Sequence, residues 1–407
     1  MSDELPKGWV TARISEIAET HSGGTPSTAK REYWDNGDVP WINSGALKDC
    51  VISQPSTYIT KLGSQNSAAK LFPKNTVVIA LTGATTGRVG MLYFACSANQ
   101  SVTGIFPSEV FIPSYVFNFL RFARPQVLEL AIGSAQPHIN KRLVDDFEIP
   151  LAPIDEQQRI VAKLEALLGK VDGCQPRLAK VATLLKRFRQ SILAAACSGR
   201  LTADWREEHD LDDEWPVEPL SEFFEMRNGK SLVATKRQEG KIPVYGGNGL
   251  MGTHNAANAE GLVIVIGRVG AQCGNVHYVT GKVWVTDNAI SLQGKKELVP
   301  AFYAYFLRSL NLNTMSAGTG QPYVSQEILG PIETPVVSLA EQQEIVRRVA
   351  ALFALADQLE LRLAQARGQV AKLTPSLLAR AFAGQLVPQN PKDEPASALL
   401  ERIKVRS

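Results

Sequence analysis

Two stretches of this 407-residue chain are copies of each other. Residues 133–201 and 318–386 align without a gap at a constant offset of 185 (318 − 133). Gln136-Pro137 recurs as Gln321-Pro322, Glu156-Gln157-Gln158 as Glu341-Gln342-Gln343, and Gly199 as Gly384. A duplication this long constrains the architecture more than any local motif, because each copy must be the same supersecondary unit. The molecule is therefore built twice, and its target is expected to have two halves.

Each copy carries a long helical pattern. In the first, Ile160, Leu164, Leu167, Val171, Leu178 and Leu185 fall on steps of four and three, the spacing of a heptad seam. The second copy keeps the phase with Ile345, Val349, Leu352, Leu359, Leu363 and Val370. Asp155 with Gln158, and Ser338 with Glu341, have the spacing of capping boxes at the two helix starts. Pro176, beside Gly173 in the first helix, and Pro375, late in the second, each predict a kink or a break.

Ahead of each helix lies a region rich in Gly, Pro, Ser, Thr and Asn with short apolar runs such as Val77–Leu81 and Leu262–Ile266. These runs read as strands. The two regions resemble each other more weakly than the helices do. Trp9…Ile14-Ser15-Glu16 matches Trp215…Leu220-Ser221-Glu222, and the string Gly87-Arg88-Val89-Gly90 recurs as Gly267-Arg268-Val269-Gly270. The expected fold is α+β: two mixed, strand-rich α/β globules joined by two long antiparallel helices with an internal pseudo-twofold repeat. The expected boundaries are a first globule at 1–150, a helix at 151–201, a linker at 202–214, a second globule at 215–335, a helix at 336–386, and a tail at 387–407 that returns towards the first globule. The order requires the helices to run head to foot if their seams pack, which gives a dumbbell.

The chemistry of the chain points away from catalysis. Gly229-Lys230-Ser231 lacks the leading glycine of a phosphate-binding loop, and Phe224 stands in its place. The five histidines and five cysteines are scattered, without metal-ligand or redox spacing, so no metal or catalytic residue is assigned and the thiols read as reduced, cytoplasmic and packed in cores. Apolar runs are too short to span a bilayer. A net charge of +3 is compatible with nucleic acid without requiring it. The residues able to touch a polyanion are Lys30, Arg31, Arg88, Gln136, His138, Asn140, Lys141 and Arg142 in the first globule. In the second they are Arg227, Lys230, Lys236, Arg237, Arg268, Gln321, Tyr323 and Ser325. Arg reads guanine, Asn and Gln read adenine, and Lys and Arg neutralise phosphate. Each of these residues can equally be a solvated surface side chain, and Gln136 and Gln321 can equally build the junction between globule and helix.

The proline-then-Glu-Gln-Gln entry to a long helix, found twice, resembles the specificity subunit of type I restriction-modification enzymes over essentially the whole chain. Leu185-Lys186-Arg187-Phe188-Arg189-Gln190 and the tail Ala398-Leu399-Leu400-Glu401-Arg402-Ile403 are similar to the A subclass of that family. The resemblance implies two target-recognition domains, each reading one half of a split site in double-stranded DNA, and a helix pair that sets the gap. It implies two methyltransferase (M) subunits docked on the helices and supplying S-adenosylmethionine, and two restriction (R) subunits supplying ATP- and Mg-dependent chemistry. No cofactor and no membrane contact is expected for this chain. A coiled-coil scaffold whose globules bind proteins or glycans is the other reading of the same pattern.

Overall fold

The computed structural model describes residues 5–131, 137–212, 214–270, 272–317 and 322–404. It divides into two compact units, Met1–Pro176 with Arg367–Ser407 and Arg177–Ala366.

In the first unit Val10–Arg13 pairs antiparallel with Glu148–Leu151. A five-stranded sheet follows in the order Thr20–Ser22, Val102–Ile105, Val77–Ala80, Val89–Leu92, Cys50–Ile52. Its central strand is buried on both faces, which explains the unbroken apolar run Val-Val-Ile-Ala. Val77 and Ile79 pack into the core containing Tyr115, Phe119 and Leu120 of the helix Pro113–Glu129, whereas Val78 and Ala80 enter a separate core with Ile42 and Phe72. This two-residue alternation is the pleat of the strand. A second sheet runs Thr57–Ile59, Val39–Ile42, Cys96–Ala98, Leu71–Phe72.

The second unit repeats the plan. Val217–Pro219 pairs with Glu333–Pro335, and a four-stranded sheet runs Phe224–Asn228, Ala289–Gly294, Leu262–Gly267, Val276–Thr280. Ile264 and Ile266 face the core with Phe302, Tyr303 and Leu307 of the helix Pro300–Ser309, and Val263 and Val265 face the opposite side. A three-stranded sheet runs Gly249–His254, Ile242–Gly246, Trp284–Val285. In both units the second sheet contains a parallel pair, Val39–Ile42 with Cys96–Ala98 and Ile242–Gly246 with Trp284–Val285.

The two long helices are Ile154–Cys197 and Leu339–Phe382, each 44 residues and offset by 185 at both ends (339 − 154, 382 − 197). Both stop at a glycine with left-handed backbone, Gly199 at φ 74° and Gly384 at φ 68°, where a side chain would be strained. Within the second unit the helices run antiparallel: Arg189 meets Asp357 and Glu360, while Ile192 and Ala196 share a core with Ile345 and Val349. Within the first unit Ile160, Leu164 and Leu168 share a core with Leu378, Ala381 and Phe382.

Several local expectations are corrected. Both helices continue through Pro176 and Pro375 without a break. Each ring lies on an exposed face, where the carbonyl four residues back, at Asp172 or Ala371, can turn to water. The first helix begins at Ile154, so Asp155 sits in its first turn and does not cap it. Ser338 does cap the second, accepting the Glu341 N–H at 3.3 Å, but the Glu341 side chain turns elsewhere. The connector after the first helix is itself helical over Ala203–Glu208. Of the seam residues, Ile160, Leu164, Val171, Leu185, Ile345, Val349 and Leu363 are buried, and Leu167, Leu178, Leu352 and Val370 are half-buried. Leu359 is 38% exposed, and beside Leu167 it is Leu168 that is buried. A 3.6-residue helix drifts off a strict 3.5-residue seam, so alternate positions take over the contact.

Candidate nucleic-acid interface

The Glu-Gln-Gln motif is the joint between globule and long helix in each unit. Gln157 Oε1 accepts the Ile112 N–H at 2.9 Å, and its amide donates to the carbonyls of Val110 and Ala152. Gln342 does the same with the Val299 N–H at 2.7 Å and the Val337 carbonyl at 2.7 Å. Tyr115 and Tyr303 extend the pattern by donating to the carbonyls of Pro150 and Pro335. Glu156 accepts from the Trp9 indole at 3.0 Å and Glu341 from the Trp215 indole at 3.1 Å. The motif therefore fastens strand, helix and globule together through fully used buried amides. Its recurrence was visible in the sequence, but its partners lie far away in the chain, so only the structure gives the role.

The loop that opens each duplicated block docks on the end of a central strand. Ile139 N–H donates to Leu81 and Gly83 N–H to Pro137 at 2.9 and 3.3 Å. Val324 N–H donates to Arg268 and Gly270 N–H to Pro322 at 2.8 and 3.0 Å. Thr82 bridges His138 as Val269 bridges Tyr323. The counterpart of Arg268 is thus Leu81, not Arg88. The shared Gly-Arg-Val-Gly string is a coincidence of composition: Arg88 enters the strand Val89–Leu92, whereas Arg268 leaves the strand Leu262–Gly267.

This docked segment presents different side chains on one backbone. His138 and Tyr323 are exposed at equivalent places. Asn140 and Ser325 each cap the short helix that follows, accepting the N–H of Leu143 at 2.8 Å and of Ile328 at 3.4 Å. Their acceptor oxygens are therefore engaged within the chain. The next two positions are Lys141 and Arg142 in one unit and Gln326 and Glu327 in the other. Lys141 pairs with Asp145 at 2.6 Å, and Arg142, 90% exposed along its side chain, lies 3.6 Å from Asp146.

The remaining candidates scatter. Lys30 donates to the Tyr33 hydroxyl at 3.0 Å and sits with the exposed Arg31 at a turn beside the second sheet. Arg88 is half-buried, and its Nε has no partner. Arg227 pairs with Glu225 at 2.6 Å, and Lys230 and Lys236 are exposed. Arg237 donates to the Met251 carbonyl at 2.7 Å and Arg268 to the Asp287 carbonyl at 3.3 Å, so both brace neighbouring loops. Gln136 and Gln321 lie outside the described residues. Sequence reasoning missed an open cavity of about 520 Å³ in the second unit, lined by Asn248, Leu250, Met251, Val269, Gln272 and Asn288. It adjoins the Val269–Tyr323 bridge and offers amides beside exposed apolar groups, the mixture that reads base edges and thymine methyls. No run of charge or periodicity marked it.

Gly229 has a structural task. A Cβ there would stand 2.2 Å from the Thr286 carbonyl oxygen, and Gly23 meets the Asn99 carbonyl in the same way in the first unit. Close backbone approach, not phosphate binding, explains the glycine before Lys230.

The family model for the type I restriction modification DNA specificity domain matches residues 6–180 and 212–365. The chain belongs to this family. It is similar to the StySPI specificity subunit of Salmonella potsdam, at 27% identity over 456 residues, 98% of this chain and 96% of that protein. It is 30% identical over 451 residues to the EcoDI specificity subunit of Escherichia coli, again covering 98% of this chain and 96% of the relative. Two solved structures share its fold at 19% identity, each over 94% of this chain and 99% of the other. One, described as the structural basis of assembly and conformational transition of the type I R-M system, matches with a TM-score of 0.76. The other, the HsdS subunit from Thermoanaerobacter tengcongensis, matches with a TM-score of 0.65.

Proposed function

We propose that this chain is the DNA-reading subunit of a type I restriction-modification assembly, and that each globular region reads one half of a bipartite, asymmetric site. The observation that carries the reading is a contrast between conserved scaffold and divergent surface within one molecule. The Gln157 and Gln342 clamps, the docked loops and the 44-residue helices repeat. The side chains presented on the docked loops, His138, Lys141 and Arg142 against Tyr323, Gln326 and Glu327, do not. Two readers of unlike half-sites need different surfaces on the same support.

The helices would set the gap between the half-sites and dock two methyltransferase subunits, which would supply S-adenosylmethionine and take up the flipped adenine. Two restriction subunits with ATP and Mg would complete the assembly. The expected boundaries of the reading regions, 1–150 and 215–335, and a cytoplasmic location belong to the same proposal.

The test is binding of the chain, co-purified with its methyltransferase partner, to duplex DNA across a salt series. The reading expects log affinity to fall linearly with log salt. A salt-insensitive or absent interaction would instead favour a protein-binding scaffold. Inserting four residues, about one helical turn, into each long helix should widen the gap in the methylated sequence.

A further inference from the structure

The two Glu-Gln-Gln junctions share a buried carboxylate that accepts a tryptophan indole, but they set different charges around it. In the second unit the Glu341 carboxylate is met by the Arg206 guanidinium at 2.7 Å, with the Thr202 hydroxyl on the same oxygen and the Trp215 indole on the other. In the first unit Glu156 is equally buried, at 1% exposure, and the Trp9 indole donates to its Oε2 at 3.0 Å. Its Oε1 is buried and has no hydrogen-bond partner. At the 185 offset, the position of Arg206 is taken by Pro391, which has no cation to offer.

Beside the first junction lies a cavity of about 380 Å³, lined among others by Lys7, Trp9, Glu156, Asn390, Pro391 and Asp393. The Arg159 guanidinium favours the Glu156 charge through space, but its hydrogen bonds go to Asp393, at 2.6 Å, and leave the free Glu156 oxygen without a donor. Lys7 is exposed and forms no ion pair with Glu156. A buried carboxylate oxygen without a donor is a costly arrangement, and the matching site in the same chain shows which donor this scaffold accepts.

We propose that this cavity is a binding site for a guanidinium cation, which pairs with Glu156 as Arg206 pairs with Glu341. The cation comes either from an arginine side chain of a partner subunit or from a free solute. Both sources present the same planar donor set to the carboxylate.

The experiment is an NMR titration of the full chain with methylguanidinium, following the Trp9 indole N–H, which reports directly on the other oxygen of Glu156. Its resonance is assigned by Trp9→Phe. The proposal expects a saturable shift, half complete at a concentration on the order of 1 mM. It expects at least ~10-fold weaker response to methylammonium and to Glu156→Gln, which keeps the indole acceptor but loses the charge. A shift that does not saturate, or one that Glu156→Gln leaves unchanged, overturns the site. A Lys7→Ala variant guards against an internal occupant: saturation seen only in that variant would mean that the Lys7 ammonium fills the cavity, and would also overturn it. Repeating the titration on the chain bound to its methyltransferase partner separates the sources. Loss of the methylguanidinium response there assigns the cation to a partner arginine, and an unchanged response assigns it to solution.

Discussion

Arg206 and Glu341 form a buried ion pair at 2.7 Å, with 5% and 3% of their side chains exposed. The pair ties the connector that leaves the first long helix to the first turn of the second, beside the contacts of Thr202 with Glu341 and of Arg348 with the Leu201 carbonyl and Asp204. Breaking one side leaves the other charged and without a solvent shell. Arg206→Ala is expected to lower stability by about 3–5 kcal/mol, and Arg206→Met with Glu341→Gln together by much less. Urea unfolding of the single and double variants measures both; equal losses would mean that packing and not charge holds the joint.

Gln157 and Gln342 are buried side chains whose amides satisfy backbone groups. Gln157→Leu strands the Ile112 N–H and two carbonyls, and Gln342→Leu strands the equivalent groups around Val299 and Val337. Each substitution should destabilise its own unit by roughly 2–4 kcal/mol, since an orphaned buried polar group costs about 1–3 kcal/mol. Hydrogen exchange should show the loss in residues around the mutated junction, with the DNA sequence that is methylated unchanged.

Burial raises the Glu156 carboxyl above its usual 4.5, partly offset by the Trp9 hydrogen bond. The folded state then holds this proton more tightly than the unfolded chain does. Its contribution to stability is fully present below the usual carboxylate value and is lost as pH rises through the raised one. Melting temperature followed from pH 4 upward should therefore fall for this group, and Glu156→Gln should flatten that part of the profile. The Glu344 carboxyl is the opposite case, held down to about 2 by Arg347 and Arg348. Its contribution is present above the usual value of 4.5 and is lost as pH drops towards about 2.

Arg142 and Tyr323 are expected to act differently on DNA. Arg142 is a flexible, exposed cation. Arg142→Ala should weaken binding evenly across sequences and reduce the salt slope by about one. Tyr323 stands on the docked loop next to the amide-lined cavity, so Tyr323→His should change preference within one half-site only. Binding selections with randomised half-sites compare the two variants; a uniform loss for both would place Tyr323 on phosphate.

The doubled plan, the helix pair and the Glu-Gln-Gln signature are legible in the sequence because they are local and repeated. The helices fall inside the expected stretches, at 154–197 and 339–382, since heptad spacing and terminal glycines act over a few residues. What escapes is whatever depends on distant partners. The cap formed by Asn140 reads as a base contact until its bond to Leu143 is seen. The Gly-Arg-Val-Gly match suggests that Arg88 and Arg268 are equivalent, yet sheet register places Leu81 opposite Ile139 where Arg268 meets Val324. Neither proline breaks its helix, because a helix held by neighbours on one face can give up a solvent-side hydrogen bond.

The two globular regions are expected to read independently. This independence is tested most directly by replacing residues 215–335 with the corresponding region of another family member and sequencing the methylome of a host that carries the chimera. One half of the methylated sequence should change while the other half and the gap stay as they were. A chimera that methylates a site altered in both halves, or in neither, would contradict it.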